Sequence, residues 1–303
     1  MKTVLILTLL LFYVPFNGFG QKAIEIPNNK VDIANFEYIQ NRLGYLSLRD
    51  LTRSNDPLVI RIWMGHHIFE INGSDSLSST VIIQINNTEN DYKSIHKKYQ
   101  FDSHQTKKML DSIIKYDVFN LPDNEHSGLH GLNNVFEIST STSYRFYSYW
   151  SPGSSSDLNE QKASQILKQI YTLLSISSLD SLFFNDLSPG NYAWGMSTVH
   201  VDRFCDENKK VSTLYRYVEQ RLRNEFGLNE RTNSIDFPSI FINDKESYMC
   251  DLNDYEYSQI KEITIHAEGA KASALYGIKG KSGVISIELK PAKRSNRNGR
   301  LQN

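Results

Sequence analysis

Charge of either sign is not in excess: 33 Lys and Arg stand against 34 Asp and Glu in 303 residues, a formal net charge of -1. Phosphate binding needs a concentrated basic surface, so nucleic acid is excluded as a general partner. Only the tail from Lys290 to Arg300 is basic. Cysteine is scarce, Cys205 and Cys250 being the only two. An oxidising compartment such as the periplasm would allow them to pair; two separate thiols is an equal alternative, because geometry decides and spacing does not. Neither has a sequence neighbour that would activate it as a catalytic nucleophile. No Gly-x-Ser-x-Gly nucleophile elbow and no internal repeat is present. What is there, 40% hydrophobic and 22% charged residues, is the composition of folded domains and excludes disorder, coiled coil and collagen. The length allows about two domains at roughly 100–200 residues each.

Long hydrophobic runs are also missing. The apolar stretch Val4 to Val14, behind Lys2 and ahead of Gly18-Phe19-Gly20, is shorter than the roughly 20 residues a membrane-crossing helix needs. That order is expected to be a secretory signal peptide over residues 1–20, cut before Gln21, with a membrane anchor as the competing reading. No cysteine lies near the cut, so a lipid-anchored form is not expected.

Residues 21–35 read as a polar leader. From 36 to 203 the chain mixes strands and two helices. Leu58, Ile60 and Ile62 alternate with Val59, Arg61 and Trp63, Asn72-Gly73-Ser74-Asp75 reads as a turn, and Val81 to Ile85 is a β-branched run. Ser103 is a candidate cap for a helix with Met109, Leu110, Ile113 and Ile114 on one face. Val135 to Trp150 returns to strands broken at Ser139 to Ser143, and a second helix carries Ala163, Ile166, Ile170 and Leu174. Segregated strands and helices predict an α+β class, here an antiparallel sheet with two helices. The charged stretch 206–210 marks a boundary, and a smaller α+β unit follows over 206–290, ahead of a basic disordered tail at 291–303.

Within that unit, Ser273-Ala274-Leu275-Tyr276-Gly277-Ile278-Lys279-Gly280-Lys281-Ser282-Gly283-Val284-Ile285 joins an alanine-rich helix to a strand through a glycine-punctuated loop. Small residues let such a helix lie close to a sheet, and glycines supply backbone angles that side chains forbid. The segment resembles the plug domain of TonB-dependent outer-membrane receptors, especially the nutrient receptors of Bacteroidetes. Pro238 to Ile242 and Ile263 with Ile265 match the family's other strands, although Asn243-Asp244-Lys245 stands where the family has an aspartate-glycine turn. The resemblance implies a small α+β plug-like fold and an outer-membrane or periplasmic setting. It covers about Val211 to Lys290 and leaves no place for the receptor's β-barrel, so transport by this chain alone is not implied. An outer-membrane barrel or another envelope protein is the implied partner.

Chemistry-bearing residues are few. His66 and His67 adjoin a strand, and His126 and His130 bracket a glycine-containing loop; these four are the candidates for a metal-dependent hydrolase, although loop histidines lose the shared face that a helix would provide. The run Tyr144 to Trp150 puts Tyr144, Phe146 and Trp150 on one face of a strand and Arg145, Tyr147 and Tyr149 on the other. If exposed, that second face would offer aromatic and guanidinium groups to a glycan or peptide; core packing is the alternative. No cofactor is indicated. The expected function is a noncatalytic exported binding protein, with a periplasmic metal-dependent hydrolase as the rival.

Overall fold

The computed structural model describes residues 22–73, 76–89, 91–124, 131–153, 156–205 and 211–291. The expected signal peptide, His126, His130, the stretch 206–210 and the tail from 292 onward lie outside the described residues. The first unit runs β1 (Ala23–Glu25), α1 (Lys30–Leu43), β2 (Val59–Met64), β3 (His67–Gly73), β4 (Leu77–Asn87), β5 (Ser94–Phe101), α2 (Ser103–Ile114), β6 (Asn133–Ser139), β7 (Ser143–Trp150), α3 (Leu158–Leu173), α4 (Ile176–Asp186), β8 (Gly190–Trp194) and β9 (Ser197–Val201). The second contains α5 (Thr213–Glu225), β10 (Ser239–Ile242), β11 (Lys245–Ser247), β12 (Ile260–His266), α6 (Gly269–Tyr276) and β13 (Val284–Leu289), joined by short 3-10 turns. The fold class is α+β.

A nine-stranded sheet in the order β1-β7-β6-β2-β3-β4-β8-β9, with β5 also on β4, forms the first unit. Its pairings are antiparallel except that β1 runs parallel to β7. Strand alternation sends Ile60, Ile62, Phe69, Val81, Ile83, Phe136 and Tyr147 to one face, where α2, α3 and α4 cover them with Met109, Ile113, Ile166, Ile170 and Phe183. Val59, Trp63, Ile68, Ile82, Tyr144 and Phe146 point to the other face, under Ile39 and Leu43 of α1 and the following Leu46 and Leu51. The sheet is the middle of three layers.

Two expectations need correction here. Among the described residues the first unit has four helices: α1 begins inside the expected leader 21–35 and runs on past it, and only Ile39 and Leu43 among its apolar residues are deeply buried, so its periodicity is weak. Its start is nonetheless specified locally, since Asn29 accepts the Asp32 N–H at 2.9 Å as an N-cap. The fourth, α4, follows α3 after a two-residue break at Leu174 and Ser175, the latter in the left-handed region at φ 49°. At α2 the cap is Asp102, which accepts the Gln105 N–H at 2.8 Å, and Ser103 is the first helical residue.

Under α1 the sheet buries charge. Arg61 is fully buried and donates to Glu70 at 2.7 Å and to the Arg49 carbonyl at 3.1 Å. Glu137, also fully buried, accepts from Trp63 Nε1 at 2.6 Å and from the Tyr144 hydroxyl at 2.9 Å, and sits 3.5 Å from Arg61. Burying an ion pair is tolerated only when further hydrogen bonds complete it, as they do here.

The second unit has a four-stranded sheet, β11-β10-β13-β12, in which β10 and β13 are parallel. Leu214, Val218 and Leu222 of α5 cover Ile240, Ile285 and Ile287 on one face. On the other, Ala272 of α6 meets Phe241 and Val284. A Cβ at Gly280 would lie 2.2 Å from the Ala272 backbone, so glycine is what lets the loop press against α6. The β10–β11 turn works without glycine because Asn243 and Asp244 themselves take φ values of 48° and 62°. Among the described residues, no helix is long and apolar enough to cross a membrane.

Candidate functional site

The aromatic face proposed for ligand binding is not open. Tyr147 and Tyr149 are buried in the larger core, their hydroxyls donating to the carbonyls of Val118 and Pro122. Arg145 lies over the Tyr147 ring and donates to the carbonyls of Phe119 at 2.8 Å and Leu121 at 2.6 Å. The alternation of side chains along β7 was read correctly; both of its faces are covered because the segment after α2 closes over the second one. These three residues anchor that segment and present nothing to a glycan or peptide.

His66 and His67 are likewise committed. The His66 Nδ1–H donates to the Gln84 carbonyl at 3.0 Å and Nε2 accepts the Gly195 N–H, so the partners select one neutral tautomer. Its ring stacks on Trp194 with centroids 4.2 Å apart. His67 Nε2 donates to Asp180 at 2.7 Å while Nδ1 accepts from Tyr171 at 3.2 Å, tying β3 to α3 and α4. All four nitrogens are engaged by protein groups, which corrects the reading of this pair as metal ligands. Among the described residues, no group of three or more His, Cys, Asp or Glu is placed to hold a metal ion.

The two cysteines are joined: Cys205 and Cys250 form a disulfide with Cα atoms 5.5 Å apart. It links the chain just beyond β9 to the 3-10 turn after β11. The plug-like motif contributes mostly structure. Tyr276 stacks on Phe241 at 5.3 Å, Gly277 and Gly283 adopt φ of 63° and 93°, and Val284 and Ile285 are buried strand residues. Ser273 and Ala274 fall within α6, while Leu275 stays 67% exposed, as does Ile278 at 55%.

Unpartnered polar chemistry gathers where the two units meet, along the β8–β9 hairpin. Asn191 and His200 are cross-strand partners there. Glu246 of β11 reaches across to them, accepting from Asn191 Nδ2 at 2.9 Å and from Lys279 Nζ at 2.6 Å, with His200 Nδ1 3.5 Å away. Burial works against the Glu246 charge, but His200 and Lys279 outweigh it and hold the carboxyl at about 2. Tyr248 stacks on His200 with centroids 5.5 Å apart and donates to Glu89. Deeper in, the fully buried Asp202 accepts the N–H groups of Arg203 at 2.8 Å and Met249 at 2.9 Å; burial pushes its carboxyl up to about 7.

His200 Nδ1 and Glu246 Oε1 face each other at 3.5 Å as an ion pair, and Asn191 Oδ1 and His200 Nε2 are buried beside them with no hydrogen-bond partner among the described residues. A buried polar atom left without a partner costs about 1–3 kcal/mol, which makes this the candidate site of the molecule. Beside it lies a cavity of about 280 Å³ whose walls come from the hairpin, from the 3-10 turn Ser234–Asp236 with its continuation into β10, and from the glycine loop of the motif. Trp194, Val199, Phe237 and Ile278 supply its apolar surface, and Asp236, Lys279 and Lys281 its charges.

No family model matches the chain, and no curated protein matches it. The plug-like reading therefore rests on the residues of the motif itself.

In the sequence, His200 is an ordinary strand residue, and Asn191, Asp202 and Glu246 carry no motif. Nothing local distinguishes them, because the contacts that gather them, Asn191 with Glu246 and Asp202 with Met249, span dozens of positions along the chain. The one available signal was the glycine loop, which was read as architecture and turns out also to carry Lys279 and Lys281 to the cavity.

Proposed function

We propose that this chain is an exported, noncatalytic binding protein of the bacterial cell envelope, working in the periplasm or at the outer membrane, whose plug-like unit serves as a contact module. The observation that carries the reading is the cavity walled by both units, with the motif's glycine loop on one side and the buried polar group of Asn191, His200 and Glu246 beside it. A small, partly apolar pocket with a few convergent polar groups is the usual form of a binding site. The Cys205–Cys250 disulfide fits an oxidising compartment, in keeping with the expected signal peptide. Exposed Ile278 at the cavity wall, Leu275 one helical turn before it and Met196 at the hairpin tip offer an apolar rim to an envelope protein, a β-barrel among them.

A photo-crosslinking residue at position 278, compared with one at Lys108 on α2, tests this in cells whose envelope fraction is then isolated. The reading expects the chain in that fraction, its cysteines resistant to alkylation, and adducts concentrated at 278. Finding it in the cytoplasm with both thiols reduced, or finding equal labelling at the two positions, would remove the basis for the proposal.

A further inference from the structure

The cavity between the units has a charge arrangement that selects among ligand classes. Three charged side chains line it: Asp236, Lys279 and Lys281. Lys279 is already neutralised by Glu246 at 2.6 Å. Asp236 and Lys281 are not paired with each other, and neither has an ion-pair partner among the described residues. The wall thus presents one unpaired carboxylate and one unpaired ammonium. An anionic ligand would meet repulsion from Asp236 and a cationic one from Lys281, so a molecule bearing both charges is matched on both counts.

The remaining surface sets size and character. About 280 Å³ lies just under the roughly 300–1,000 Å³ range of drug-sized pockets, which limits the occupant to a small molecule. Trp194, Val199, Phe237 and Ile278 favour an apolar body. Asn191 Oδ1 and His200 Nε2 add polar atoms that are buried and have no partner among the described residues, His200 retaining only 10% exposure of its side chain and Asn191 6% overall. They offer an acceptor and a donor, which is what an amide or α-amino group can use.

The geometry points to a site for a zwitterionic amino acid or dipeptide with an apolar side chain, its ammonium facing Asp236, its carboxylate facing Lys281 and its side chain against Trp194, Phe237 and Ile278. This rests on the reading of the junction as a binding site and adds the ligand's identity to it. Both charged residues lie outside the unit cores, so neutral replacements leave the fold intact, which circular dichroism verifies.

Isothermal titration calorimetry on the disulfide-intact chain tests the assignment with L-phenylalanine, phenylalanyl-alanine, N-acetyl-L-phenylalanine and L-phenylalaninamide. Either zwitterion is expected to bind at least tenfold more tightly than both capped compounds, the stronger of the two showing whether a free amino acid or a peptide is the natural source. In Asp236→Asn the preference over the N-acetyl compound should disappear, and in Lys281→Gln the preference over the amide. Equal binding of the N-acetyl compound to the wild-type chain would make this an anion site and overturn the proposal. So would the absence of heat with all four compounds. Crosslinking at position 278 would still stand in that case, and the two failures are therefore distinguishable.

Discussion

The first unit sandwiches a nine-stranded sheet between α1 on one side and α2, α3 and α4 on the other, whereas the second covers four strands with one long helix and one short one. The larger unit carries a buried Arg61–Glu70–Glu137 network and needs no covalent link. The smaller carries the disulfide. A small unit buries a smaller fraction of its surface on folding, so a cross-link matters more there, while a large core can accommodate charge provided every polar atom is bonded. Between them lies the junction, where Asn191, His200, Asp202 and Glu246 bring buried polar groups of both units together. The difference teaches that the Arg61–Glu70–Glu137 network orders a single unit, whereas the polar groups of the junction act between two units and line a cavity.

The sharpest way to break the contrast is Glu137→Ala. It strands the Arg61 charge and removes the acceptor of Trp63 and Tyr144, for an expected loss of about 3–5 kcal/mol. All three tryptophans, Trp63, Trp150 and Trp194, lie in the first unit, so the midpoint of urea unfolding followed by their fluorescence measures this loss directly. An unchanged midpoint would show that the network is not structural.

The junction should respond to pH. The Asp202 carboxyl is raised in the folded chain from its ordinary 3.8 to about 7, by burial first, partly opposed by His200 and by two backbone N–H groups. A raised folded value favours the protonated form, so its contribution to stability is complete below about pH 4 and is lost as pH rises through 7, with an upper limit of about 4 kcal/mol. Burial and the neighbouring Asp32 likewise push Asp123 up to about 6, with the same sign. Asp202→Asn isolates the first group: between pH 4 and 8 the wild type should lose stability relative to the variant, as read from urea midpoints. Parallel curves would mean that the carboxylate is charged throughout.

The smallest effect is expected from the staple. Replacing Cys205 and Cys250 together by alanine should cost about 2–4 kcal/mol. The loss should be confined to the second unit, visible as faster amide hydrogen exchange in α5 and β10 with exchange in β2 and β6 unchanged. Equal acceleration in both units would show that they unfold as one body and would erase the comparison.

The α+β class, the alternation along β2 and β7, the helices α2 and α3, and the glycine loop before β13 were all readable from residue order. Helical and strand periodicities act over a few positions, and capping and turn residues act over fewer. Where that local signal fades, the reading fails: α1 is held by two deeply buried apolar residues and by its Asn29 cap, and its start falls in the stretch 21–35 that reads as a polar leader. Which face of β7 is open was beyond local pattern too, since Tyr147 and Tyr149 are hidden by a segment some 30 residues upstream through bonds to Val118 and Pro122.

Pairing of Cys205 with Cys250, the meeting of Asn191, His200 and Glu246, and the cavity that Asp236 and Lys281 share depend on how the second unit docks against the β8–β9 hairpin. Short-range preferences specify which segments are helices and strands. Only close packing of those segments in three dimensions brings residues from distant positions within hydrogen-bonding reach, and a binding site is made of such residues.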